Sequence, residues 1–84
     1  MSAFEQAQKD VKTLTQRPDN NAMLALYAHF KQATAGDAQG ERPGMFDLVG
    51  RAKYDAWSAL QGMTREDAET SYIKKVESLM AAEK

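Results

Sequence analysis

The sequence predicts an all-α domain, a four-helix bundle with a long crossover loop between the second and third helices. Three observations lead to it. Apolar residues recur at spacings of three and four along four separate segments, the period of a helix that turns one face inward. Proline and glycine divide the segments, and no alternating apolar and polar run is long enough to compete as a strand. With 84 residues there is room for one domain, spanning 1–84, near the size at which a single apolar core suffices without disulfides or metal.

The first helix begins at Ser2, which with Glu5 matches a capping box, hydroxyl and carboxylate each satisfying a backbone N–H. Phe4, Ala7, Val11 and Leu14 form its stripe. Arg17-Pro18-Asp19 stops it, because the residue before proline avoids the helical region and proline offers no N–H. The second helix runs from about Asn20 to Ala35 and ends at Gly36, a residue suited to a helix terminus. Leu26, Phe30 and Ala33 share one stripe, with Met23 and Tyr27 beside it. That face is broad enough for more than one neighbour.

Three glycines and Pro43 lie between Gly36 and Asp47, too many breakers for regular structure. A connection this long crosses the end of a bundle and lets two successive helices run parallel. The third helix opens at Phe46 or Asp47 and ends at Gly62. Leu48, Ala52, Ala56 and Leu60 recur every four residues within it, with Val49 and Trp57 alongside. Thr64 and Asp67 start the fourth, where Glu66 and Asp67 suit the positive end of the helix dipole. Tyr72, Val76 and Leu79 continue it, Ile73 and Met80 widen the stripe, and residues 81–84 are expected to fray. Phe4, Phe46 and Trp57 are assigned to the core.

Charge and composition exclude several functions. Eleven Lys and Arg stand against twelve Asp and Glu, so the broad phosphate neutralisation of a nucleic-acid binder is absent and any anion site must be local. The lack of cysteine removes disulfides, thiolate metal sites and thiol nucleophiles, and fits a reducing, cytoplasmic setting. Residues 1–6 lack the pattern of a signal peptide, and no apolar run approaches the roughly 20 residues that span a bilayer. A soluble, unanchored protein is expected.

His29 is the only histidine. No carboxylate or second ligand lies one turn away on its helix, so neither a catalytic nor a metal role is assigned. Each lysine taken alone reads as part of a solvated face. Lys31 and Lys53 differ, because Lys31 follows Tyr27 by four and Lys53 precedes Trp57 by four, placing each on a face with an aromatic ring. A ring next to a fixed cation suits a phosphorylated nucleotide. Tyr27, Phe30, Tyr54, Trp57 and Tyr72 are all candidates for core packing, but a buried tyrosine hydroxyl needs a partner, and a phosphate oxygen at a pocket rim is one. Met23 and Leu24 suit bundle packing, and methionine also adapts to an alkyl chain. Two classes of function stay open on these residues: a non-catalytic ligand carrier, and a small helical adaptor that holds a protein partner in an apolar groove. A thioester hydrolase would need a nucleophile and a base, and His29 stands isolated in a chain without cysteine.

The run Tyr27 to Met45 resembles the second-helix signature and following loop of the acyl-CoA-binding protein family. The likeness extends along essentially the whole chain, through Val11-Lys12-Thr13-Leu14, Pro18, Met23-Leu24, Ala52-Lys53-Tyr54-Asp55-Ala56-Trp57, Thr64 to Ala68 and Tyr72-Ile73-Lys74-Lys75-Val76. It implies an up-down-down-up bundle that binds medium- to long-chain fatty acyl-CoA esters as an intracellular carrier and buffer pool, with no catalysis and no cofactor besides that ligand. A monomer making transient contact with acyl-CoA-using enzymes is implied as well. By position, Tyr27, Lys31 and Lys53 match residues holding the ribose 3′-phosphate and nucleotide, and Lys12 matches a further coenzyme-contacting lysine. Tyr72 matches the head-group tyrosine of the fourth helix, while Met23 and Leu24 match the acyl groove. Phe30 stands where the family more often has tyrosine, keeping a ring to stack on adenine and losing the hydroxyl. Tyr54 replaces a common tryptophan and remains a flat amphipathic ring.

Overall fold

The structure is a computed structural model describing residues 2–83, and it contains four helices and no strand among them. Helix α1 spans Ala3–Val11, α2 Asn20–Ala35, α3 Leu48–Ser58 and α4 Arg65–Ala82. Each begins where a side-chain oxygen meets an otherwise unpaired backbone donor. Ser2 and Glu5 complete the capping box of α1. Asp19, Asp47 and Thr64 accept from Ala22, Gly50 and Asp67 at the starts of the other three. Gly36 closes α2 with φ 82° and ψ −152°, a region open essentially to glycine alone.

Side-chain contacts fix the topology. Lys53 lies against Tyr27 and Trp57 against Lys31, so residue numbers rise together and α2 runs parallel to α3. Phe4 meets Tyr72, and Thr15, just beyond α1, meets Glu83, just beyond α4. Those two helices are therefore parallel as well. Between α2 and α4 the order is reversed, with Phe30 against Tyr72 and Gln32 against Met63. The result is up-down-down-up.

The core gathers Phe4, Ala7, Leu26, Ala33, Ala68, Tyr72 and Val76. Its alanines let helix axes approach closely, and the aromatic bulk is placed to one side. There the Phe4 ring lies edge-on to Tyr72 at 5.2 Å and stacked on Phe30 at 6.0 Å. Offset and edge-to-face ring pairs of this kind add to simple area burial.

The crossover from 36 to 47 is tied down by polar contacts and has no regular structure of its own. Trp57 Nε1 donates to the Gly36 carbonyl at 2.7 Å, and the Tyr54 hydroxyl donates to that of Gly40 at 3.0 Å. Arg42 grips Asp55 through two nitrogens, at 2.8 and 2.7 Å. Asp37 Oδ1 accepts from the buried Gln32 amide and from the Gly62 N–H, both at 2.8 Å, joining the end of α2 to the turn before α4.

These two donors, the Gly62 N–H first and the Gln32 amide second, hold the Asp37 carboxyl below its ordinary value of 3.8. A depressed folded pKa means stabilisation that is present above the ordinary carboxylate range and lost as pH falls through the depressed value. Asp37→Ala is therefore expected to destabilise the protein at neutral pH and to lose that difference in strong acid. Urea titrations of both proteins at pH 7 and in the range below the ordinary carboxylate pKa check it, and an equal gap at both pH values contradicts it.

Several expectations are corrected. Phe46, in the turn ahead of α3, is 96% exposed, Leu48 74% and Val49 67%, because among the described residues α3 packs against α2 alone and no further helix covers its first turn. The α3 helix stops at Ser58, short of Gly62, where the chain turns so that Gly62 reaches Asp37; Leu60 lies in that turn. Leu14 falls beyond the end of α1. Helix α4 continues through Ala81 and Ala82, with Glu83 at its C-cap. The Glu83 carboxylate accepts from the N–H groups of Thr15 and Gln16 at 3.2 and 2.9 Å, while Lys84 lies outside the described residues.

Candidate functional site

A groove of about 410 Å³ opens beside the aromatic side of the core, lined by Val11, Lys12, Arg17, Pro18, Met23, Leu26, Tyr27, Phe30 and Tyr72. The end of α1 supplies Lys12, two successive turns of α2 supply Met23, Tyr27 and Phe30, and α4 supplies Tyr72. Helical spacing explains the α2 set, since residues three and four apart share a face. The floor is apolar and the cations stand at its edge. Of the three tyrosine hydroxyls, only that of Tyr54 has a hydrogen-bond partner among the described residues. Tyr27 and Tyr72 thus bring unpaired hydroxyls to the groove. Burial pushes the Tyr72 phenol above its ordinary value, which keeps it a neutral donor at physiological pH.

A second groove of about 420 Å³ runs between the first halves of α2 and α3, lined by Arg17, Asn20, Met23, Leu24, Leu48, Val49, Ala52 and Lys53. Arg17 and Met23 line both. The exposed Leu48 and Val49 are therefore walls of this trough, and Met23 sits at the junction. Each volume falls within the range of small-molecule sites.

The lysines pair with rings across helices and not along them. Lys53 Nζ lies 5.3 Å from the centre of the Tyr27 ring, and Lys31 Nζ lies 4.9 Å from that of Trp57. The sequence spacing suggested the opposite partners, Tyr27 for Lys31 and Trp57 for Lys53; the parallel register of α2 and α3 exchanges them. Of the eight residues singled out from sequence, Lys12, Met23, Tyr27, Phe30 and Tyr72 line the first groove, and Met23, Leu24 and Lys53 the second. Lys31 lines neither and packs on Trp57 nearby. Phe30 serves two purposes, since its ring also rests on Phe4.

Sequence reasoning missed Arg17, which it treated only as part of a helix stop, although its proximity to Lys12 and Pro18 was visible. It missed Leu48 and Val49 as groove walls as well, having assigned them to the core stripe. His29 Nδ1 lies 2.7 Å from the Ala25 carbonyl within its own helix. Among the described residues no cluster of His, Cys, Asp and Glu has the geometry of a metal site, and no helix is long and apolar enough to cross a membrane.

Fold and site together define a helical binding module, in which one trough is walled by rings with Lys12 and Arg17 among its lining, and the other by aliphatic side chains together with Arg17, Asn20 and Lys53. Comparison with known proteins gives the family. The sequence model of the acyl-CoA-binding protein family matches residues 1–76. An acyl-CoA-binding protein homolog of Manduca sexta is 52% identical over 80 residues, covering 94% of this chain and 89% of its own. Acyl-CoA-binding protein homolog 1 of Caenorhabditis elegans is 47% identical over 79 residues, covering 94% and 92%. The crystal structure of Oryza sativa acyl-CoA-binding protein 2 superposes with a TM-score of 0.92 at 41% identity, over 96% of this chain and 88% of that one. The chain belongs to the acyl-CoA-binding protein family.

Proposed function

We propose that the protein binds medium- to long-chain fatty acyl-CoA esters and serves in the cytoplasm as a monomeric carrier and buffer pool, handing its ligand to acyl-CoA-using enzymes without transforming it. The observation that carries this reading is the junction at Met23 and Arg17 between a groove walled by rings and one whose walls join the aliphatic Met23, Leu24, Leu48 and Val49 to the cations Arg17 and Lys53. An amphipathic ligand with a polyanionic nucleotide at one end and an alkyl chain at the other matches that sequence of surfaces. Tyr27 and Phe30 offer ring faces to adenine, and Lys12, Lys31 and Lys53 offer charge to the phosphates. The Tyr72 hydroxyl offers a neutral donor to the head group. Met23, Leu24, Leu48 and Val49 shelter the tail.

Lys53→Ala tests the head-group assignment. Its ammonium is exposed, so solvent and salt reduce what one charge-assisted bond contributes. The variant is expected to bind palmitoyl-CoA roughly three- to tenfold more weakly, with an unchanged far-ultraviolet circular dichroism spectrum. Raising the salt concentration should weaken the wild type more than the variant. Isothermal titration at two ionic strengths checks both statements, and equal affinities for the two proteins would sink the assignment. If the wild type ignores palmitoyl-CoA altogether, the carrier reading fails and a protein-binding adaptor takes its place.

A further inference from the structure

The segment between α1 and α2 carries a residue for which the reading above has no role. Arg17 lines both grooves and also a small cavity of about 90 Å³, whose walls include Leu14, Pro18 and Leu79. Among the described residues it has no ion-pair partner; the two salt bridges there are Arg42–Asp55 and Arg65–Glu69. The backbone just ahead of it is held across the whole chain. Both oxygens of the Glu83 carboxylate are occupied by the N–H groups of Thr15 and Gln16, and Pro18 follows with its fixed φ. A guanidinium on a braced backbone, standing where two troughs meet, presents a planar fork of donors to whatever lies there.

We propose that Arg17 grips the diphosphate of the bound coenzyme at the junction of the two grooves, and that Glu83 is its positioning residue. The inference rests on the acyl-CoA reading. With adenine in the aromatic groove and the alkyl chain in the aliphatic one, the anion lying between them in covalent order is the diphosphate and not the ribose 3′-phosphate. A planar fork matches paired phosphate oxygens, which a lysine ammonium meets only as a point charge.

The experiment titrates wild type, Arg17→Ala, Arg17→Lys, Glu83→Ala and the Arg17→Ala/Glu83→Ala double variant with palmitoyl-CoA and with its 3′-dephospho analogue. Arg17→Ala is expected to lose roughly three- to tenfold in affinity, by the same factor for both ligands, and Arg17→Lys to recover only part of it. Glu83→Ala is expected to weaken binding in the wild-type background and to add nothing in the Arg17→Ala background, a non-additivity that a merely structural role would not produce. Unchanged affinity of Arg17→Ala overturns the inference, and so does a loss confined to the ligand bearing the 3′-phosphate. Additive losses in the double variant overturn the positioning role. Failure of the wild type to bind either ligand removes the acyl-CoA reading instead.

Discussion

Phe4→Ala is expected to remove about 3–5 kcal/mol of unfolding free energy, the range for deleting a buried aromatic ring and leaving a cavity behind. A domain of this length has roughly 4–13 kcal/mol in total, so the variant stands close to unfolding or beyond it. The size of the effect follows from the position of the ring. Phe4 is 6% exposed and lies against both Phe30 and Tyr72, the two aromatic side chains that also line the first groove. Removing it empties the core at the point where core and groove share a wall. Phe4→Leu, which retains part of the volume, should lose less. Urea denaturation of the three proteins reads the effect through the midpoint at constant slope, and a loss below about 1 kcal/mol for Phe4→Ala, the size typical of an ordinary substitution, would show that α1 contributes little to the core.

A comparably large effect is expected from the ligand side. Palmitate is expected to bind at least about a hundredfold more weakly than palmitoyl-CoA, since about 2.8 kcal/mol separates two decades and several head-group contacts vanish together. The fatty acid can fill the aliphatic trough but brings no ring for Tyr27 and Phe30 and no phosphates for the lysines. Free coenzyme A has the opposite defect. Each buried methylene contributes about 0.8 kcal/mol, so ten of them offer a gross ~8 kcal/mol before ordering costs, which coenzyme A alone forgoes. Calorimetry with the three ligands side by side measures the discrimination. Similar affinities for palmitate and its thioester would mean that the cationic rim takes no part.

Much of the fold was legible because it is set by local chemistry. Ser2 with Glu5, Thr64 with Asp67 and Gly36 after Ala35 mark helix ends through groups within three residues of one another. The parallel arrangement of α2 and α3 could also be anticipated, from the length of the connection between them. The mistakes share one cause, which is that periodicity shows which residues of a helix are apolar but not whether a neighbour covers them. Phe46, Leu48 and Val49 continue an apolar pattern into a part of the chain where α3 has no second helix beside it. For the site, the spacing of Lys31 and Lys53 from nearby aromatics correctly placed both lysines beside rings, but the partners were set by the register between helices. Glu83 escaped notice because its contacts span the chain, its bonds joining residues 68 and 67 positions apart, and Arg17 because the other walls of the grooves it lines come from helices far along the sequence. No local pattern carries that information.

Among the described residues, half of the buried apolar ones are alanines, Ala7, Ala22, Ala28, Ala33 and Ala68, while Phe4, Phe30 and Tyr72 cluster beside the first groove. Ring bulk therefore stands where the interior and the trough share a wall. Anything that settles there adds another stratum to a thin interior, so how firmly the chain holds its shape and how tightly it holds its cargo become a single linked quantity.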